Sequence, residues 1–169
     1  GSKLNPRIQE DASEYIMMFI DKISPIIPNS LFNGKMLSQI EGINDQYNKE
    51  TIEPFYSLIL PINQLNSLEN CLKAFNSPTF FTNENKYYAD SLKKKIDAKQ
   101  SDFIEQLPDH LILQLKRFEY DYSNGQRKKI NSKVSISKNI DVASICKFKD
   151  NNKQPTKYHL AGVIQHMGS

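Results

Sequence analysis

The chain has 169 residues, 38% hydrophobic and 24% charged. That suits one globular domain, or a large piece of one, and excludes wholesale disorder. The 22 basic and 19 acidic residues leave a net charge of +3, too balanced for a nucleic-acid footprint. Arg, whose planar fork reads phosphate and guanine, occurs only three times. The most apolar runs, residues 15–20 and 111–115, are far shorter than the roughly 20 residues a membrane-crossing helix needs. No signal peptide is visible, and Gly1-Ser2 reads as a cloning scar.

Two cysteines, Cys71 and Cys146, make no disulfide framework and are expected reduced inside the cell, in cytoplasm or nucleus. The three histidines are His110, His159 and His166. No CxxC or HxxxH pair offers a structural zinc site, and GxGxxG, P-loop and GxSxG words are absent. No metal or cofactor is expected.

In chain order, residues 9–23 predict a helix, with Tyr15, Ile16, Phe19, Ile20 and Ile23 at 3.6-residue spacing and Pro25 and Pro28 ending it. Residues 31–41 predict a strand pair turning at Asn33-Gly34, and 42–51 a polar loop. Residues 53–62 read as one strand. Residues 67–76 read as a short helix capped by Ser67, with Leu68, Leu72 and Phe75 buried and Cys71 an inert thiol beside them. Residues 84–97 suggest a strand, a tight turn and a strand. Residues 110–121, HLILQLKRFEYD, read as a central strand continued by Phe118 and Tyr120. Asn124-Gly125 is the strongest hairpin signal, leading into a strand over 126–137. Residues 147–157 read as loop and 158–166 as a final strand. The pattern is α+β with an antiparallel sheet.

Specific words say more. QEDASEYIMMFIDKI resembles the QQDAHEFL helix of the ubiquitin-specific proteases, a family of deubiquitinating cysteine peptidases. LFNGKMLSQIEG, EPFYSLILPI and SLENCLKAF are similar to its LFxGxLxSxIxC, ExFxxLxLxI and SLxxCLxxF segments. ENKYYADSLKKKIDA resembles NKYYCxxCxxKxxA, LPDHLILQLKRFEYD and GQRKKIN resemble LPxxLxLxLKRFxYD and xxxxKIN, and YHLAGVIQHMGS resembles YxLxAVxxHxGS. The ordered set runs from about residue 9 to residue 169.

The resemblance implies a partial catalytic domain over 3–169 with a papain-like cysteine peptidase core. The thumb helix would lie at about 9–23, the antiparallel fingers at about 31–62 and 84–100, and the palm sheet at about 103–169. The substrate would be ubiquitin joined through its C-terminal glycine to a lysine amine, on ubiquitinated proteins, and the reaction hydrolysis of that isopeptide bond. It also implies five residues at the ubiquitin tail. Asp11 and Glu14, three apart on one helix, would take the tail's arginines as charge-assisted hydrogen bonds, each worth roughly 1.5–3 kcal/mol. Gln9 would bond the channel backbone, Phe118 would line the channel, and His166 would pack over the terminal glycines without acting as the base. Spacing alone assigns Asp11 and Glu14 only to the helix dipole, and Phe118 to core packing.

The sequence also departs from the family pattern. The nucleophilic Cys box belongs upstream of residue 9 and the catalytic His word downstream of residue 169, so no catalytic residue is named and the 169 residues alone are not expected to hydrolyse anything. A non-catalytic ubiquitin-binding pseudoprotease is the alternative. The four family positions that carry zinc-binding thiolates hold Gly42, Asp45, Ala89 and Leu92, with Tyr87, Tyr88 and Ile40 expected to pack in the metal's place. The basic runs 93–95 and 127–129 read as solvated surface, not a nucleic-acid module. The stripe of Tyr15, Ile16 and Phe19 is expected to leave an apolar patch and self-association.

Overall fold

The computed structural model describes residues 12–121, 125–149 and 154–165. Helix α1 spans Ala12–Ile23. Its Ile20 is buried, while Tyr15 and Phe19 stay 47% and 51% exposed, so the expected apolar patch is present. Two 3₁₀ turns, Ser24–Ile26 and Asn29–Leu31, follow it, as the prolines require.

Strand β1, Gly34–Gly42, lies between β2, Asn48–Phe55, and a long strand formed by Ala98–Gln106. Asn33-Gly34 is therefore no hairpin turn. Gly34 opens β1 opposite Phe55, where a Cβ would sit 2.5 Å from the Phe55 ring and 2.8 Å from the Gln106 carbonyl oxygen. The glycine serves close approach, not a turn. The supposed loop 42–51 holds the actual hairpin and the start of β2. The first seven residues of β2 are exposed, the state of an edge strand, so its polar composition imitates a loop. Pro54 is tolerated there because an edge strand can spare a donor.

The stretch 53–62 is two strands. After Phe55 the chain leaves the sheet and forms β3, Ser57–Leu60, with Leu58 and Leu60 buried. Helix α2, Leu68–Phe75, forms as expected. The Ser67 hydroxyl accepts from the Asn70 N–H at 3.2 Å, and Leu68, Cys71 and Leu72 are buried. A strand the sequence did not signal, β4 (Thr79–Phe81), adds to the edge of the four-stranded sheet. Strands β5, Tyr87–Ala89, and β6, Lys94–Ile96, form the expected hairpin, and β7 is Ala98–Gln106.

Residues 110–121 are not one central strand. They split into β8, Ile112–Leu115, and β9, Phe118–Asp121. β8 pairs in parallel with β3 and is only half-buried, so the sheets are not all antiparallel. β9 pairs with β10, Gln126–Lys129, across the predicted hairpin, with Gly125 at φ 70°. The strand expected over 126–137 ends at Lys129. The last strand is likewise shorter: β12, Lys157–His159, pairs with β11, Asn139–Asp141, and beyond it Val163 and Ile164 are 61% and 67% exposed. Period-two alternation continued past the residues that have ladder partners.

The main core lies where β3 meets α2. Leu58, Leu60, Ile62, Leu72, Ile104 and Ile145 are among its buried members, each contributing about 1.5–3 kcal/mol of apolar burial. A smaller cluster of Ala89, Ile96 and Ala98 closes the tip of the hairpins.

Candidate functional site

Both thiols are chemically quiet. Cys71 is fully buried, and that burial pushes its pKa up against the opposing charge of Arg117. Cys146 donates its S–H to the Val142 carbonyl at 3.1 Å, and burial, then Asp141, pushes it up to about 12. The described histidines are elsewhere: His110 stacks at 5.5 Å from the Phe32 ring and His159 Nδ1 lies 2.9 Å from Asn139 Oδ1. The described residues hold no activated nucleophile, since a thiolate needs a base or cation beside it.

Of the five residues assigned to the tail, Gln9, Asp11 and His166 lie outside the described residues. Glu14 is exposed in the first turn of α1, where the helix dipole favours an anion. Phe118 is 54% exposed at the start of β9. The core-packing reading of Phe118 is thereby overturned, because its ring faces outward beside Tyr120, itself 53% exposed.

Four hydrogen bonds fix the point where Phe118 emerges. The Lys116 N–H donates to the Leu60 carbonyl at 2.9 Å and holds the chain against β3. The Ile130 N–H donates to the Arg117 carbonyl at 2.7 Å, extending the β9–β10 ladder by one rung. The Arg117 guanidinium donates through Nη1 to the carbonyls of Ile130 and Ser132. Arg117 was not singled out from the sequence. Its partners lie 13 and 15 residues downstream, and only its place in the KRF word marked it.

The hairpin tip is the second place where the resemblance implies chemistry, and its residues do not fit a metal. A Cβ at Gly42 would lie 2.5 Å from the Asp45 carbonyl oxygen, so a cysteine has no room there. Ala89 is fully buried among Ile40, Tyr47, Phe81 and Tyr87. The Asp45 carboxylate accepts from the Lys94 ammonium. Among the described residues no three His, Cys, Asp or Glu side chains gather as a metal would need. Ile40 and Tyr87 pack as expected. Tyr88 does not, being 52% exposed; Tyr47 takes its place, 5.8 Å from the Tyr87 ring. The hydrogen bond with Tyr87, then burial, pushes the Tyr47 phenol up to about 12.

The family model described as ubiquitin carboxyl-terminal hydrolase matches residues 2–169. Ubiquitin carboxyl-terminal hydrolase 15 of Saccharomyces cerevisiae is 32% identical over 149 residues, which cover 83% of this chain and 12% of that protein. Ubiquitin carboxyl-terminal hydrolase 7 of Caenorhabditis elegans is 30% identical over 176 residues, 98% of this chain and 15% of that protein. The chain thus spans a small part of the length of these relatives. Among solved structures, a chain of the SAGA Ubp8/Sgf11/Sus1/Sgf73 DUB module bound to ubiquitin aldehyde matches 95% of this chain and 39% of its own length. Its TM-score is 0.78 and its sequence identity 27%.

Proposed function

Because the chain belongs to the ubiquitin carboxyl-terminal hydrolase family, we propose that it forms the ubiquitin-binding portion of a deubiquitinase that cleaves the isopeptide bond after ubiquitin's terminal glycine by thiol chemistry. The fold is the α+β, papain-like fold of ubiquitin-specific protease catalytic domains. One observation carries the reading: Phe118, placed by the family words beside the tail, stands outward on a hairpin anchored to the core on its inner side.

In this reading α1 and β9 flank an extended tail. Asp11 and Glu14 take its arginines as charge-assisted hydrogen bonds, and Gln9 bonds its backbone. Phe118 walls the channel and His166 lies over the glycines, whose lack of side chains lets a narrow passage close on them. Neither Cys71 nor Cys146 attacks the bond, because both stay protonated at neutral pH. The nucleophile and its activating His are assigned to the Cys and His boxes that flank these words in the family. The free thiols fit a reducing, intracellular setting.

The experiment is reaction of the full-length gene product with ubiquitin bearing a C-terminal electrophile. A covalent adduct on a cysteine other than Cys71 and Cys146 supports the reading. Noncovalent binding without an adduct favours a pseudoprotease, and the absence of both adduct and binding would overturn the reading.

A further inference from the structure

The segment that follows β10 works as a strap. Ile130, buried in the core, donates its N–H to the Arg117 carbonyl. Five residues on, Ser135 donates its N–H and its hydroxyl to the Asn66 carbonyl, and its own carbonyl accepts from the Leu68 N–H at 3.0 Å. Ser137 then donates to the Glu69 carboxylate. The strap is therefore sewn to the N-terminus of α2 at one end and to the β8–β9 junction at the other.

Arg117 lies at the junction end of that strap. Its Nη1 spans two carbonyls, those of Ile130 and Ser132, two residues apart. A guanidinium can hold both because it is planar and carries several donors in fixed directions. An ammonium at the same place is a point charge on a flexible stem. The guanidinium meets these carbonyls in a part-buried position, one of them on Ile130, itself buried in the core, so it sits on the inner side of the junction. Phe118, the next residue, faces out. The inward side chain thus sets the direction of the outward one.

We infer that Arg117 is a positioning residue: by clamping the Ile130 and Ser132 carbonyls it fixes the orientation in which Phe118 meets the extended ubiquitin tail. This rests on the function proposed above. It adds a residue with no contact of its own to the tail, acting only through its neighbour.

The test is a double-mutant cycle on the chain with Arg117→Lys and Phe118→Ala, read by ubiquitin affinity, with amide hydrogen exchange at Ile130 as a readout independent of ubiquitin. Arg117→Lys keeps the charge and is chosen so that the fold survives; Arg117→Met serves as a second variant. Losing one charge-assisted clamp predicts about tenfold weaker ubiquitin binding for Arg117→Lys. The double variant is expected to be no weaker than Phe118→Ala alone, and Ile130 exchange is expected to rise. Additive losses would overturn positioning through Phe118. Unchanged Ile130 exchange in both Arg117 variants would overturn the clamp itself, whatever ubiquitin does. Failure of the unmodified chain to bind ubiquitin, with Ile130 exchange responding as expected, would sink the functional reading and the role at the tail while leaving the clamp standing.

Discussion

Lys94, on the second hairpin, donates its ammonium to the carboxylate of Asp45, which lies in the turn of the first. The pair links the start of β6 to the first turn, at the tip where the family resemblance implies a metal in other members. It is a surface pair, with side chains 55% and 26% exposed, so its worth is about 0–1 kcal/mol. Most of the cohesion of the tip comes from Ala89, Ile96 and Ala98 and the rings around them.

A chelator is therefore expected to leave the thermal midpoint of the chain unchanged. Asp45→Asn should lower it by no more than about 4 °C. Ala89→Asp, which puts a carboxylate into the packed cluster, should cost several-fold more. A midpoint that drops on adding EDTA and recovers with zinc would contradict this account of the tip.

Gly34 carries the second prediction. Any side chain there must displace the Phe55 ring or the backbone at Gln106. Gly34→Ala should destabilise the chain by about 1–3 kcal/mol, the usual range for overpacking. Urea unfolding measures it. A neutral substitution would mean that the β1 start is looser than the structure has it.

Cys146, Tyr158 and Asp141 help shape the pH profile, with Cys71 and Tyr47, both raised, adding to its alkaline side. Burial raises Cys146 from 9.0 and Tyr158 from 10.0 to about 12 each. The fold therefore accommodates their neutral forms. Their stabilisation is whole below the ordinary thiol and phenol values and is lost as pH climbs through the interval up to about 12. Tyr158 also donates its hydroxyl to the Pro108 carbonyl at 2.6 Å. On the acid side, hydrogen bonds from Thr156 and the Ala143 N–H hold Asp141 below the ordinary carboxylate value, so its share is present above that value and is lost as pH falls from there through its lowered value. Urea midpoints against pH should fall at both ends. Tyr158→Phe should flatten the alkaline limb while lowering neutral stability by about 1 kcal/mol. An alkaline limb identical in the two proteins would contradict this assignment.

The sequence was most legible where local chemistry and tertiary structure agree. Ser67 caps α2 as its type predicts, and Leu68 and Leu72 bury on the expected stripe. The β5–β6 hairpin and the turn at Gly125 also follow local signals. Misreadings came where one signal has two causes. Glycine at 34 serves contact with Phe55, yet Asn-Gly spells a turn. The polar residues of β2 mark an exposed edge, yet polar runs spell loops. The break after Leu115 depends on Leu60 and Ile130, which are distant in sequence. The site was legible only through the ordered family words, and Arg117 escaped because its role lies entirely in long-range carbonyls.

The central claim is that this chain grips ubiquitin by its extended tail. Calorimetric titration of the chain with intact ubiquitin, and with ubiquitin lacking its tail residues from the first tail arginine onward, tests it most directly. The account predicts that intact ubiquitin binds, that removing the tail weakens binding at least about tenfold, and that Glu14→Lys and Phe118→Ala each remove part of that difference. Equal affinity for the two forms, or no binding of either, would contradict it.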